Sequence, residues 1–167
     1  MDRSHIHRGR PPYSVNATAI ATSDALVDEL LAADEYVLGV PIHNFGLPSP
    51  LKAWVDNVVR VGRTFSFHPD DPEGQFYRPL VPPGRRATVI VTSGDVGYEP
   101  GGPIWHMNHV EPHLRTILGF VGINDLRFVY AGNDEFGGER LERSLAAAAR
   151  CVGEVARAKD SLVETAA

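Results

Sequence analysis

The chain has 167 residues, of which 43% are hydrophobic and 22% are charged, and its formal net charge is −5 at pH 7. This size and composition predict one globular domain with a core of its own. The negative net charge argues against nucleic acid or an acidic lipid surface as a partner. No apolar run reaches 18 residues and the N-terminus has no apolar signal core, so we expect a cytoplasmic protein outside the membrane.

Residues 1–22 are polar, and we interpret them as a solvated N-terminal segment ahead of a domain at residues 23–167. The alternative is a phosphate or partner contact, made by basic and histidine side chains at Arg3, His5, His7, Arg8 and Arg10. The single cysteine, Cys151, cannot form an internal disulfide. It lies in an Ala-rich helical pattern, which indicates a small core residue rather than a reactive thiol.

The first predicted elements are a helix and a strand. The helix covers about Asp24–Ala33, with Thr22 or Ser23 as its cap. Its apolar face contains Leu26, Val27, Leu30 and Leu31. A short apolar run at Tyr36–Val40 follows and is typical of a strand buried on both faces.

Residues 41–50 form a Pro- and Gly-rich loop between this strand and a second helix at residues 51–60. Ser49 can cap that helix and Pro50 suits its first position. The helix has one apolar face at Leu51, Trp54, Val55, Val58 and Val59. Ten residues is long for such a connection, and ligands of open α/β sheets bind beyond the carboxyl ends of strands, so we expect a binding loop.

Residues 63–80 contain two short aromatic runs on either side of a turn-rich segment, which predicts a hairpin-like excursion. Four aromatic residues would form a lip on it: Phe65, Phe67, Phe76 and Tyr77. Core packing, a pocket wall and a subunit contact are all open explanations for them.

A second buried strand is predicted at Ala87–Val91, and it leads into a loop at residues 92–103 with four glycines in twelve positions. Glycines allow a positive φ or a close approach of backbone to ligand. Because this loop also follows a strand, we expect it to meet the 41–50 loop at one crevice.

Residues 104–120 are helical in their second half, with Leu114, Ile117 and Leu118 inward and Pro112 in the first turn. Three histidines, at His106, His109 and His113, have the spacing of metal ligands on a helix. Pro112 places two of them before the regular helix, and no cysteine completes the set. We interpret them as a polar edge or pocket rim, and we predict no metal site.

A third strand at 126–130 and a closing helix at about 139–162 complete the pattern. The helix would face the sheet with Leu141, Leu145, Ala148, Ala149, Val152 and Val155. Strands that alternate with helices predict an α/β fold with a parallel sheet covered on both faces, here with three visible strands.

Several spaced motifs resemble the FMN-dependent NADH-azoreductase and quinone-reductase family. The similar segments are Pro41-Ile42-His43-Asn44-Phe45 with Leu51-Lys52, then Asp56, Arg60, Gly62, Thr64 and Phe65, then Thr92-Ser93-Gly94-Asp95, and Leu118-Gly119-Phe120-Val121-Gly122-Ile123. The resemblance covers about residues 24–162. It implies a flavodoxin-like, three-layer α/β/α fold that is truncated at the N-terminus. The family's first strand, its Ser-rich phosphate-binding loop, the helix after it and the second strand have no match here.

The resemblance also implies a site and an activity. FMN would be bound by Pro41, Ile42, His43, Asn44, Phe45, Ser93, Gly94, Asp95 and Gly97. Aromatic residues for a substrate pocket would be Phe67, Trp105 and Phe120. The family's homodimers have sites at the subunit interface and use NADH or NADPH to reduce quinones or azo compounds. His43 stands where the family has tyrosine, and it brings a group that titrates near neutral pH, so it is the candidate catalytic residue.

Three readings of function stay open. The first is a flavin oxidoreductase that binds FMN weakly, because the phosphate loop is missing. The second is a flavin-free relative that binds a small aromatic ligand or uses His43 with Asp95 for proton transfer, as an isomerase, dehydratase or cyclase would. The third is a non-catalytic subunit that pairs with a longer partner. The retained ring-site motif favours the first reading, and the missing phosphate loop favours the other two.

Overall fold

The computed structural model describes residues 17–165, with side-chain surroundings for residues 20–158. The helices are α1 (Ala17–Ala32), α2 (Ser49–Val58), α3 (Glu111–Val121) and α4 (Gly138–Thr165). The strands are β1 (Glu35–Pro41), β2 (Phe65–Phe67), β3 (Tyr77–Pro79), β4 (Arg86–Thr92) and β5 (Asp125–Ala131). A short 3-10 turn covers Trp105–Met107.

The main sheet has three parallel strands in the order β1-β4-β5, and β2 pairs with β3 in a separate antiparallel hairpin. Val37 of β1 lies opposite Thr88 of β4, and Thr88 lies opposite Arg127 of β5. The predicted α/β class, the parallel sheet and the hairpin excursion are therefore confirmed.

The core lies on both sides of this sheet, which makes three layers. On one side Val89 and Val91 of the central strand are fully buried, and α1, α2 and α3 bring Val27, Val58 and Leu114 to the same cluster. These residues follow the helical spacing of apolar positions in the sequence. On the other side Val129 and Ala131 of β5 pack against Ala148 of α4.

Two predictions of burial are wrong. The strand β1 is not buried on both faces, since Val37 is 70% exposed and Gly39 is exposed. No described helix packs over β1 on the side of the sheet that α4 occupies. In α4, Leu145, Ala149 and Cys151 are exposed rather than inward. The stripe that meets β5 runs through Ala148 and Val152, which turns those three side chains to the outside.

Two predicted helix starts are also wrong. The first helix already includes Ala17, the first described residue, so Thr22 and Ser23 lie inside it rather than at its start. Ser23 is buried instead, and its hydroxyl donates a 2.6 Å hydrogen bond to the carbonyl of Asn57. In α2, Ser49 is the first helical residue and makes no capping hydrogen bond, while Pro50 lies in the first turn.

Ion pairs join α1 to the segment that follows α2. The guanidinium groups of Arg60 and Arg63 each lie 2.7 Å from a carboxylate oxygen of Asp24. The predicted division at residue 22 falls within α1, and the basic cluster of residues 1–16 lies outside the described residues. Among the helices that the structure describes, none combines the length and the apolar character needed to cross a membrane.

Candidate functional site

Two loops lie side by side at the carboxyl ends of β1 and β4. Beyond β1, the N–H of Ile42 donates a 2.8 Å hydrogen bond to the carbonyl of Thr92. Beyond β4, the N–H of Ser93 donates to the carbonyl of Ala131 at 3.2 Å. Since the strands are parallel neighbours, both loops start at the same edge of the sheet, as predicted.

The first loop contains a tight turn at residues 43–46, which we name the Phe45 turn. The backbones of His43 and Gly46 exchange hydrogen bonds of 3.1 and 3.0 Å. Asn44 and Phe45, between them, have positive φ values of 47° and 69°. Asparagine tolerates this conformation, but for phenylalanine it costs about 1–3 kcal/mol, and such strain collects at functional sites. The Phe45 side chain is 43% exposed.

The second loop, residues 92–103, is the glycine loop, and it folds back on itself. The Ser93 hydroxyl donates to the carbonyl of Asp95 at 2.7 Å, and the Asp95 carboxylate accepts from the Val96 N–H at 2.7 Å. Gly97 has a φ of +96°, and a Cβ there would lie 2.9 Å from the ring of Pro103. Only glycine fits that position, since both the backbone conformation and the space exclude a side chain.

The two loops present unpaired backbone donors. Within the described part of the chain, the N–H groups of Asn44, Phe45, Gly94 and Asp95 make no hydrogen bond. Backbone N–H groups in left-handed and turn conformations form concave sites for electron-rich groups. Four such groups on adjacent loops suit a planar ligand with acceptor atoms along one edge.

A buried polar network lies behind these loops, and sequence reasoning missed it. Glu111 is 3% exposed, accepts a very short hydrogen bond from the Tyr130 hydroxyl, and pairs with Arg115 at 2.7 Å. Burial raises the pKa of Tyr130, and Glu111 adds to the effect. Asn108 donates to the Tyr130 hydroxyl at 3.0 Å. Tyr130 is 19 residues from Glu111 in the chain. The only local signal was therefore a carboxylate in the first turn of α3, a common place for one.

The histidines lie in different parts of the structure. His43 is exposed on the Phe45 turn. His106 and His109 precede α3, as predicted, and His113 lies within it. In residues 20–158, no three His, Cys, Asp or Glu side chains come together in a way that could hold a metal ion.

The predicted substrate aromatics fall into two places. Trp105 is half-buried beside the glycine loop, where its backbone N–H donates to the carbonyl of Gly102 at 3.2 Å. Phe67 and Phe120 belong instead to an aromatic cluster, in which ring centroids of neighbouring members lie 4.9 to 6.0 Å apart. Its members are Phe65, Phe67, Tyr77 and Phe120.

The aromatic cluster and the two loops lie at opposite ends of the sheet. The hairpin joins β4 at its start, since the N–H of Val81 donates to the carbonyl of Val121 at 3.3 Å and β4 begins at Arg86. The loops follow the other end of that seven-residue strand, about 20 Å away at ~3.3 Å per residue. Within one chain, Phe67 and Phe120 are therefore not brought to the loops.

A parallel sheet with helices on both faces, and with polar loops at the carboxyl ends of its strands, defines a doubly wound α/β protein of the flavodoxin type. The chain belongs to the flavodoxin-like fold family, whose family model matches residues 2–155.

Relatives of known name agree with this assignment. The chain is 46% identical over 125 residues to FMN-dependent NAD(P)H:quinone oxidoreductase 1 of Pseudomonas aeruginosa, an alignment that covers 75% of this chain and 58% of that protein. It is 44% identical over 142 residues to an FMN-dependent NADH:quinone oxidoreductase of Opitutus terrae, covering 84% and 65%. A Rhizobium johnstonii enzyme of the same name is 39% identical over 152 residues, covering 89% and 71%.

Solved structures show the same fold. An azoreductase from Bacillus anthracis superposes with a TM-score of 0.71 at 24% identity, over 84% of this chain and 64% of that chain. An FMN-dependent NADH-azoreductase from the same species, solved in complex with FMN, gives a TM-score of 0.68 at 24% identity, over 83% and 64%. The chain spans 58% and 65% of the length of the Pseudomonas and Opitutus relatives.

Proposed function

We propose that this protein is an FMN-dependent NAD(P)H oxidoreductase that reduces quinones, azo compounds or related small aromatics. The observation that carries the proposal is the pair of adjacent loops with four unpaired N–H donors, the first of which carries the strained, half-exposed Phe45. The names of the relatives support it, since those proteins are called FMN-dependent quinone oxidoreductases.

The residues present fit the ring of FMN. The backbone of Ile42 is anchored to Thr92 while its side chain packs against the core, so the Phe45 turn has a rigid base. From that base the N–H groups of Asn44 and Phe45 would bind the polar edge of the ring, and the Phe45 side chain would cover one face. Ser93, Gly94 and Asp95 would line the other side, and Pro41, His43 and Gly97 complete the contact set. Bound FMN would supply the hydride-transfer chemistry, and the chain would orient it.

The substrate would meet a surface built by two copies of the chain. Because the aromatic cluster lies about 20 Å from the loops of its own chain at ~3.3 Å per strand residue, its Phe67 and Phe120 can line the pocket only from a second subunit. In a homodimer with the site at its interface, one subunit would provide the two loops and Trp105. The other subunit would provide Phe67 and Phe120. A cytoplasmic location stays a prediction from the sequence, which fractionation of expressing cells tests.

Titration with FMN, followed by quenching of flavin fluorescence, tests this function on the parent and on Phe45→Gly and Phe45→Ala. We expect saturable binding by the parent. Both variants lose the ring, and an aromatic contact of this kind is worth ~0.5–1.5 kcal/mol, so both should bind FMN about 2–10-fold more weakly.

Stability separates the two variants. Glycine adopts φ +69° without strain, whereas alanine there costs about 1–2 kcal/mol. Phe45→Gly should therefore unfold at a higher urea concentration than Phe45→Ala while binding FMN no better. A parent protein whose FMN titration shows no quenching at any concentration would contradict the flavin function and favour the flavin-free reading.

A further inference from the structure

Asn108 lies between the two loops and is 2% exposed. Its amide nitrogen donates to the carbonyl of Tyr98 in the glycine loop at 2.8 Å and to the hydroxyl of Tyr130 at 3.0 Å. Its amide oxygen accepts from the N–H groups of Val110 at 2.8 Å and Glu111 at 3.1 Å, at the start of α3. An amide has two donor and two acceptor positions, so the side chain is saturated.

These partners leave the amide one orientation. The Tyr130 hydroxyl gives its proton to Glu111, so it meets Asn108 as an acceptor, as does the Tyr98 carbonyl. The N–H groups of Val110 and Glu111 can meet only an oxygen. Glu111 is itself fixed by Arg115, whose guanidinium lies 4.6 Å from the centre of the Phe128 ring. Asn108 is therefore held by both α3 and β5.

The next residue reaches the other loop. The N–H of His109 donates a 2.9 Å hydrogen bond to the carbonyl of Phe45. Two adjacent residues thus bind the Phe45 turn on one side and the glycine loop on the other. Because α3 and β5 hold Asn108 in place, the spacing between the two loops depends on this residue.

We propose that Asn108 is a positioning residue that sets the gap between the Phe45 turn and the glycine loop. The inference rests on the proposed function for its ligand, since the gap is where the ring of FMN would lie. The side chain acts through the loops and does not touch the ligand. Of the common side chains of this size, asparagine alone offers two donors and two acceptors at once. Aspartate keeps the oxygen that α3 needs but loses both donors.

The test is Asn108→Asp, with Asn124→Asp as the matched control. Asn124 lies after the other end of α3, is exposed, and makes one amide hydrogen bond, to the carbonyl of Gly122 at 3.3 Å. Both changes replace an amide with a carboxylate, and only the first touches the loops. If Asn108→Asp does not fold, Asn108→Ser replaces it, because a serine hydroxyl still accepts from the first N–H groups of a helix.

Hydrogen exchange on the flavin-free protein gives the first readout. We expect faster exchange in the Phe45 turn and the glycine loop of the variant, with β4 and β5 unchanged and with the control like the parent. The second readout is FMN itself. Loss of a hydrogen bond that orders the site should weaken FMN binding by about 3–10-fold, and the visible circular dichroism of the FMN-saturated variant should differ from that of the parent.

Three outcomes decide the matter. Parent-like exchange in both loops together with a parent-like FMN affinity overturns the proposal. Faster exchange spread evenly over α3, β4 and β5, with an unchanged flavin spectrum, also overturns it, since that is the result of a structural role alone. If the parent binds no FMN, the proposed function fails, and the loop-confined exchange then supports or overturns the positioning role by itself.

Discussion

His43 is held in place by its backbone while its side chain is free to meet a ligand. Its N–H and C=O both pair with Gly46, so the residue is locked into the Phe45 turn. The side chain is exposed and directly precedes the two unpaired N–H groups. We propose that this exposed imidazole acts as a proton donor or acceptor beside the proposed FMN ring.

We predict that His43→Phe keeps the fold but alters turnover and its pH dependence. Removal of a general acid or base costs ~10²–10⁴-fold in rate, whereas loss of a mere neighbour of the ring costs much less. The measurement is kcat/KM for quinone reduction against pH, with circular dichroism to confirm folding. His113→Phe is the control, since His113 is a half-buried histidine within α3 and belongs neither to the two loops nor to the aromatic cluster. A folded His43→Phe with the parent's profile would show that His43 has no chemical role.

At the scale of elements, the sequence predicted what depends on local patterns. The spacing of Val55 and Val58 specified α2, the valine-rich run specified β4, and the order of strands and helices specified a parallel sheet. The positions of the two loops followed from those elements, because parallel neighbours end at one edge. Their motifs are contiguous in the chain, which is why the candidate ring-site residues could be proposed at all.

What the sequence did not predict depends on contacts between distant residues. Asn108, Glu111 and Tyr130 meet only when α3 packs against β5, and no periodicity marks them. Likewise the exposure of Val37 depends on which layer covers β1, which is a property of the whole fold. The part of α1 before Asp24 was hidden because its apolar residues are mostly alanines among Thr and Ser, which do not mark an apolar helix face.

The Tyr130–Glu111 contact joins β5 to α3 and makes stability depend on pH. In the folded protein, burial raises the pKa of Tyr130 most, and Glu111 raises it further. Because this pKa is raised on folding, the contribution of Tyr130 to the free energy of unfolding is fully present below the tyrosine pKa of the unfolded chain, ~10. It is lost as the pH rises above that value. The other groups around the hydroxyl are Asn108 and Arg115, and both oppose this rise in the pKa of Tyr130.

We predict that Tyr130→Phe lowers the free energy of unfolding at pH 8 and flattens its decline above pH 10. The loss at pH 8 should be about 1–3 kcal/mol, because buried Glu111 is left with one donor fewer. Urea unfolding at pH 8 and at pH 11 measures both effects. Tyr77→Phe is the control, since Tyr77 is 55% exposed. Equal slopes for Tyr130→Phe and the parent between these two pH values would contradict the assignment. Some decline remains in either case, because burial also raises the pKa of Tyr36.

At the scale of the molecule, two surfaces of the described chain are apolar and uncovered. In the aromatic cluster, Phe67 is 49% exposed and Tyr77 is 55% exposed. At the edge of the main sheet, β1 pairs with β4 alone among the described strands, and Val37 of β1 is 70% exposed. Monomers rarely expose such patches without a partner, and an open strand edge invites pairing with another chain.

We therefore predict that the protein is a dimer at micromolar concentration, with the aromatic cluster in the interface. Phe67→Glu places a charge within that cluster and should shift sedimentation toward the monomer. Turnover should fall with it, because the proposed pocket would lose the aromatic residues that a second copy would supply. Leu145→Glu is the matched control, since Leu145 is a 50% exposed apolar residue on α4 and lies outside the cluster. The prediction is contradicted if the parent protein sediments as a monomer, or if Phe67→Glu stays dimeric and fully active. Either result would mean that the aromatic cluster is not in the interface and that the loops form the site within one chain.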